Sequence, residues 1–404
     1  MRQYSIHELV HSVFYTGMHR DGIRAIFWGA VFRRFAMASV GLFVPIFVYK
    51  VGFSTYGDSF VAGLRVLITY LVFKRLSIIS MSLFVEHIID GIGFRWTFLI
   101  SSIFLALQFV LLPFAETDLS FLWIAAVVSG IVTSTFWIAR HALFGEDQDI
   151  ASVGSSLGFV VVLSQLSTVV GPVVGGFIAF LFGFSGLFHF GLVLAALSGL
   201  PYFFMHHHRR HHPDGLSGLL DKLRDPANFP LVVSWFGRGW EDMVHVNFWP
   251  LYVFLVVGAV ERLGVITSAV AIVAMFSSYI AGRVFDKTRS RKRVLLTGAG
   301  ITAILWPIKA LARTFGSVFF VDSIHKAVYP FYWIPLLSET YQFSFRRDTV
   351  AFFAFREVVI SVGILVFLLI VFLLTFSWSW FSIFLLGGLG IVLSMSLVSY
   401  RGFR

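Results

Sequence analysis

Cysteine is absent from this 404-residue chain, and charge is scarce: Asp, Glu, Lys and Arg together make up 13% of it. Without thiols there are no disulfides, no thiolate metal sites and no cysteine nucleophile, and the redox compartment is left open. A soluble domain carries about 25% charged residues, so much of the polar surface that a water-soluble fold needs is missing. Acids are the scarcer sign, 21 Asp and Glu against 31 Lys and Arg, for a formal net charge of +10. The stretch Met1–Arg24 is polar and amphipathic, with no apolar core beside the start, so no cleavable signal peptide is expected there. What fills the chain instead is hydrocarbon: 58% hydrophobic residues, 48 phenylalanines and a mean hydropathy of +0.86. That composition belongs to a polytopic, all-α membrane protein.

Apolar runs of about 20 residues predict twelve spans. They cover 25–49, 59–88, 96–114, 119–140, 153–182 and 186–205, then 230–257, 263–285, 293–312, 317–341, 350–374 and 378–399. The division is therefore an N-terminal segment 1–24, a six-helix bundle 25–205, a linker 206–229 and a second bundle 230–404. Lys and Arg crowd the termini and every second loop, as at Arg209, Arg210, Arg283, Lys287, Arg346 and Arg347, whereas the alternate loops hold only Lys50, Arg262 and Arg313. The asymmetry predicts both termini in the cytoplasm. It also accounts for most of the positive charge without nucleic acid. The linker begins with His206–His212, whose imidazoles offer metal ligands, but Arg209 and Arg210 repel cations. It reads as a solvated basic stretch beside anionic headgroups. Leu216, Leu219, Leu220 and Leu223 then share one helical face, predicting a short helix on the membrane surface.

The two bundles are built alike. One constant offset aligns Asp90 with Asp286, Arg95 with Arg291 and Trp137 with Trp333; a second aligns Arg33 with Arg238 and Pro45 with Pro250. A chain of two like halves is an internal repeat. The aligned loops carry a specific resemblance. Gly282, Asp286, Lys287, Arg291 and Lys292 fit the loop between second and third helices of the major facilitator superfamily, Gly-x-x-x-Asp-Arg/Lys-x-Gly-Arg-Arg/Lys, with Arg289 in place of a glycine. In the first half Asp90, Gly93 and Arg95 fit, with Glu86 where the leading glycine belongs. Ser167, Gly171, Pro172, Gly175 and Gly176 resemble the Gly-x-x-x-Gly-Pro-x-x-Gly-Gly element of antiporters in that family. Small residues so spaced let helices approach closely, and the proline bends the fifth span. The Arg-x-x-Gln-Gly element common in proton-driven members is missing; Arg140 and His141 stand at the end of the fourth span instead.

Charge at membrane depth costs about 2.5–3.5 kcal/mol on insertion scales, which makes each such residue a functional candidate. The cations are Arg33, Arg34, Arg65, Lys74, Arg75, Arg238, Lys309, Lys326 and Arg356; the acids are fewer, namely Glu241, Asp242, Asp322, Glu339 and Glu357. Arg238, Glu241, Asp242 and His245 fall at helical spacing on one face of the seventh span, with Asn247 close by. One reading neutralises Arg238 internally through Asp242, four residues on. The other leaves a surplus of positive charge for an anion, reduced if Arg65, Lys309 and Lys326 snorkel to the outer interface.

The resemblance implies two six-helix bundles rocking about a central site. In that frame Arg33, Arg34, Arg238, His245 and Asn247 are the expected substrate contacts, and Glu241, Asp242 and Glu357 the expected proton carriers. Asp90, Gly93, Arg95, Gly282, Asp286, Lys287 and Arg291 form the expected conformational latch. The expected protein is a monomeric H⁺-coupled transporter of a small anionic or amphipathic solute in the plasma membrane (the inner membrane of a bacterium), with no cofactor, metal or enzymatic activity. An alternative is a non-transporting receptor or scaffold that keeps the fold, for which the atypical Glu86 and Arg289 leave room. A membrane enzyme is disfavoured, since His87, His141, His189, His245 and His325 scatter over different spans.

Overall fold

The computed structural model describes residues 21–146, 154–205, 225–288, 290–344 and 349–400, and among these there are helices and turns but no strand. The basic histidine cluster, the linker helix and Arg289 lie outside the described residues. The helices are α1 Asp21–Ala36, α2 Val44–Thr55, α3 Phe60–Phe114, α4 Leu119–Glu146, α5 Gly154–Gly199 and α6 Phe229–Met243. They continue as α7 Trp249–Val257, α8 Val260–Lys287, α9 Arg291–Lys309, α10 Phe315–Ser344, α11 Thr349–Leu374 and α12 Trp380–Ser394. Among the described residues, seven segments are long and apolar enough to cross a membrane by length and composition. Those that fall short, α6–α7, α9 and α10, carry the charges: Arg238, Glu241 and Asp242; Arg291 to Arg293 and Lys309; Asp322, Lys326 and Glu339.

Two of the long helices are each two spans. A straight α3 would place Ser77 and Ser101 about 36 Å apart, yet their hydroxyls donate to the carbonyls of Val127 (2.7 Å) and Val132 (3.2 Å), little more than one turn apart on α4. The chain therefore doubles back between them, at Gly93, where φ is 77° and ψ 167°. In the same way Gly175 and Gly191 of α5 both approach neighbouring residues, Ser39 and Val40, so α5 reverses at Gly183 (φ 69°, ψ −178°). Only glycine occupies that corner of backbone space readily. Divided there, the described helical segments correspond to the twelve spans read from the sequence.

The first span of each half is interrupted in the same way. A π-turn, Met37–Gly41, separates α1 from α2, and another, Val244–Phe248, separates α6 from α7. Each is followed by a proline near the start of the next helix, Pro45 and Pro250. Proline supplies no N–H and crowds the carbonyl four residues back, and the widened turn absorbs the mismatch. These turns face each other across the middle of the molecule.

On the side away from the signature loops the halves meet through α5 and α8. A Cβ built on Gly264 would lie 2.3 Å from the Pro172 carbonyl oxygen, and one on Gly176 2.9 Å from that of Val260. Ser268 accepts the Val173 N–H at 3.0 Å, next to the kink at Pro172. Gly171 and Gly175 face Ala38 and Ser39 of the first π-turn. Arg65 donates to Thr375 at 3.3 Å and lies over the rings of Phe372 and Phe376, at the same end.

The reversal at Gly183 provides a direct test. Nothing lies within 4 Å of a Cβ placed there, so Gly183→Ala should destabilise the purified protein by about 1–3 kcal/mol through backbone strain alone. Gly91→Ala, equally uncrowded but at negative φ, should be neutral in the same unfolding measurement.

Candidate functional site

A cavity of about 380 Å³ lies between the halves, bounded by both π-turns. Its walls are mostly apolar, with a polar set made of Lys74, Gln108, Ser129, Gln165 and Thr168 from the first half. The second half contributes His245, Asn247, Asp322 and Lys326. The volume falls within the about 300–1,000 Å³ range of small-molecule sites.

Below the cavity wall the charges of α6 form a connected chain. The guanidinium of Arg238 pairs with Glu241 through Nη1 and with Asp242 through Nη2 (3.1 Å), and it stacks over the Trp333 ring at 4.5 Å. Asp242 also faces Arg75 of α3, 3.9 Å away, so this ion pair joins the two halves. Glu241 is fully enclosed, and its Oε1 accepts from His245 Nδ1 at 3.2 Å. The other ring nitrogen, Nε2, contacts Lys326 Nζ. A lysine ammonium only donates, so Nε2 holds the lone pair and the proton sits on Nδ1, a neutral imidazole bridging carboxylate and ammonium. The route runs Arg75, Asp242, Arg238, Glu241, His245, Lys326, and its last two members open on the cavity.

Nearby, Lys309 Nζ donates to Asp322 at 2.7 Å and sits between the rings of Trp249 (4.2 Å) and Trp306 (4.4 Å), with no exposed surface. His325 is equally enclosed, against Trp306 and Tyr329, and neither ring nitrogen has a hydrogen-bond partner among the described residues.

These positions revise the sequence reading at several residues. Arg238 does not lack nearby acids; it has two on its own helix, and it does not line the cavity. Intrahelical neutralisation won because residues three and four apart share a helix face. Lys309 and Lys326 do not snorkel outward, since Asp322 and His245 hold them inside; Arg65 lies at the end away from the signature loops. Arg33 and Arg34 border a separate, smaller cavity with Arg140. Of the expected substrate contacts, His245 and Asn247 line the central cavity. Glu357 is buried beside Arg356 at 3.8 Å, within electrostatic reach of Arg75 and Arg238. Sequence reasoning missed Lys74 as a cavity residue, although its place beside Arg75 in an apolar run had marked both. It has no ion pair or hydrogen bond among the described residues.

In the signature loops, Asp286 and Lys287 are exposed, Asp90 is half-buried, and Arg95 lies over Trp96 at 5.3 Å. Arg291 reaches the fully enclosed Glu339 of α10 at 3.5 Å, a partner that spacing along the chain could not reveal. On this side the halves also meet where His141 of α4 contacts the Tyr341 hydroxyl and stacks on Phe353 at 4.9 Å. The central cavity lies between that contact and the α5–α8 crossing. Among the described residues no three His, Asp or Glu side chains converge on a metal position.

The buried triad sets an expectation for stability. Arg238→Ala leaves Glu241 charged in an enclosed site, and breaking such a pair costs about 3–5 kcal/mol. Adding Glu241→Gln should recover most of that loss in denaturant unfolding. Additive losses in the double variant would mean that the two groups are not coupled.

Comparison with known proteins places this geometry. The Major Facilitator Superfamily profile matches residues 26–321. An uncharacterized protein of Bacillus subtilis (strain 168), YqgE, is 26% identical over 287 residues, 67% of this chain. The match covers 66% of that protein, just under two thirds of its length. Among solved structures, the crystal structure of a D-xylose-proton symporter superposes with a TM-score of 0.65 over 95% of this chain and 98% of its own, at 13% identity.

Proposed function

This chain belongs to the major facilitator superfamily, and on that premise we propose that it carries a compact anionic or amphipathic solute by alternating access, driven by H⁺. That it is an integral multi-pass membrane transporter follows from the family and the apolar helices. The observation that carries the finer reading is the central cavity, which draws its polar groups from both halves and holds Lys74 and Lys326 against one carboxylate, Asp322. With His245 neutral, the lining bears a net positive charge, which favours an anionic group and penalises a cation. The apolar remainder of the wall suits a solute with a hydrocarbon or ring portion.

Coupling is assigned to the route behind the cavity wall. A proton arriving through His245 neutralises Glu241 and loosens its hold on Arg238. One reaching Asp242 removes the charge that faces Arg75 across the interface. Loss of that attraction frees the halves to rock, and the signature loops, with Arg291 on Glu339, re-form on closing. Glu357 is a further candidate carrier. Asp90, Gly93, Arg95, Gly282, Asp286 and Lys287 belong to the same latch. The bent α5, with Gly171, Pro172, Gly175 and Gly176, supports export as the direction. Monomers in a bacterial inner membrane, both termini cytoplasmic, complete the proposal.

Two measurements test it. In proteoliposomes, Glu241→Gln, Asp242→Asn and Glu357→Gln should include at least one variant that loses pH-driven accumulation but keeps downhill exchange, since exchange needs no titrating group. If all three still concentrate the solute, protons are not carried there. In a thermal-shift screen of anions, cations and neutral sugars, an anion should stabilise the wild type. Lys74→Gln should weaken that anion about tenfold or more, the worth of a charge-assisted contact. A preferred cation, or no transport of any stabilising ligand, would favour the non-transporting receptor instead.

A further inference from the structure

A second cavity, of about 130 Å³, lies nearer the signature loops, between α1 and α4. Arg33 and Arg34 border it from α1, Thr133 and Arg140 from α4, and Ser164 from α5. Among the described residues it shares only Met37 with the central cavity. Among the described residues three guanidinium groups surround this space and no carboxylate lines it. Arg33 is the informative one. It is 4% exposed, its Nη2 donates to the Val132 carbonyl at 3.3 Å, and its guanidinium carbon lies 3.8 Å from the centre of the Phe136 ring. Those contacts fix the plane of the group. Its Nη1 is buried and has no hydrogen-bond partner among the described residues. A guanidinium keeps its charge at any ordinary pH, so burial has to be compensated by a counter-charge. The ring face and one carbonyl supply only part of that.

We infer that this vestibule is a separate anion site that takes a single phosphoryl or carboxylate group, held by Arg33, Arg34 and Arg140 with the hydroxyls of Thr133 and Ser164. Its volume is too small for a whole drug-sized solute, for which sites run to about 300 Å³ or more, but it admits one such group. A free inorganic anion and the headgroup of an anionic lipid present the same chemistry. Arg34 and Trp137 are exposed at its rim, giving access from outside the central cavity. The site goes beyond the transport reading, because binding here requires neither a transported solute nor a proton.

The experiment uses the full chain in phosphatidylcholine nanodiscs, followed by thermal unfolding. One arm replaces chloride by inorganic phosphate at constant ionic strength; the other replaces part of the lipid by phosphatidylglycerol. At least one arm should raise the unfolding midpoint saturably. Arg34→Gln and, independently, Arg140→Gln should weaken that response about tenfold or more, as expected for loss of a charge-assisted contact. Arg34→Lys should keep part of it, and Lys74→Gln in the central cavity should leave it unchanged. A response to phosphate alone identifies a free anion as the occupant, and a response to phosphatidylglycerol alone identifies a headgroup; either supports the site. No stabilisation in either arm overturns it, as does equal stabilisation of wild type and both glutamine variants. Loss of the response in Lys74→Gln would also overturn it, by placing the anion in the central cavity.

Discussion

A guanidinium enclosed in an apolar bundle is the constraint around which the second half is arranged. Arg238 cannot shed its proton and has little water to turn to, so its charge has to be met by neighbouring side chains. Glu241 and Asp242 meet it from the same helix, three and four residues on. Two acids against one cation then leave negative charge over, and that excess is taken up in both directions. Arg75 comes from the first half to face Asp242, and His245 turns its Nδ1–H to Glu241. His245 in turn presents a lone pair to Lys326, which brings the network to the cavity wall. Each member is where it is because the previous one left a charge or a hydrogen-bonding atom unsatisfied. The helices that bear this network, α6 and α10, are among those too charged to qualify as spans by composition alone.

Much of the fold was legible in the sequence because lipid is an undemanding reader: runs of apolar residues of the right length mark spans whatever their internal order. The duplication was legible too, through Asp90 and Asp286, Arg95 and Arg291, Pro45 and Pro250. The site was legible only as far as one helix reaches. Spacing placed Arg238, Glu241, Asp242 and His245 on a common face, and the structure joins all four. Partners from other helices carry no such signal. Nothing along the chain says that Arg291 meets Glu339, that Lys309 meets Asp322, or that Lys326 meets His245. Without them the cations looked unpaired, and the expected substrate contacts included Arg238 but not Lys74. Pseudo-symmetry misled in the same way. Arg33 and Arg238 occupy corresponding places, but Arg33 is held by a carbonyl and a ring face, while Arg238 is held by two carboxylates.

What joins the two halves is as informative as what fills them. Within a half, helices lock through close glycine contacts and buried aromatic pairs such as Trp235 with Phe352. Across the interface the polar contacts among the described residues include Arg75 with Asp242 at 3.9 Å, Arg65 with Thr375 at 3.3 Å and His141 with Tyr341. The α5–α8 crossing is tighter, but it rests on glycines and one serine hydroxyl, surfaces that lose little when they separate in lipid. An interface built from a stretched ion pair, a few hydrogen bonds, aromatic contacts such as His141 on Phe353 and smooth small-residue contacts can part without leaving many charges unpaired. That is the condition for two arrangements of rigid halves to be populated together. The ion pair between Arg75 and Asp242 depends on a carboxylate charge, and that carboxylate belongs to the same network that reaches the cavity.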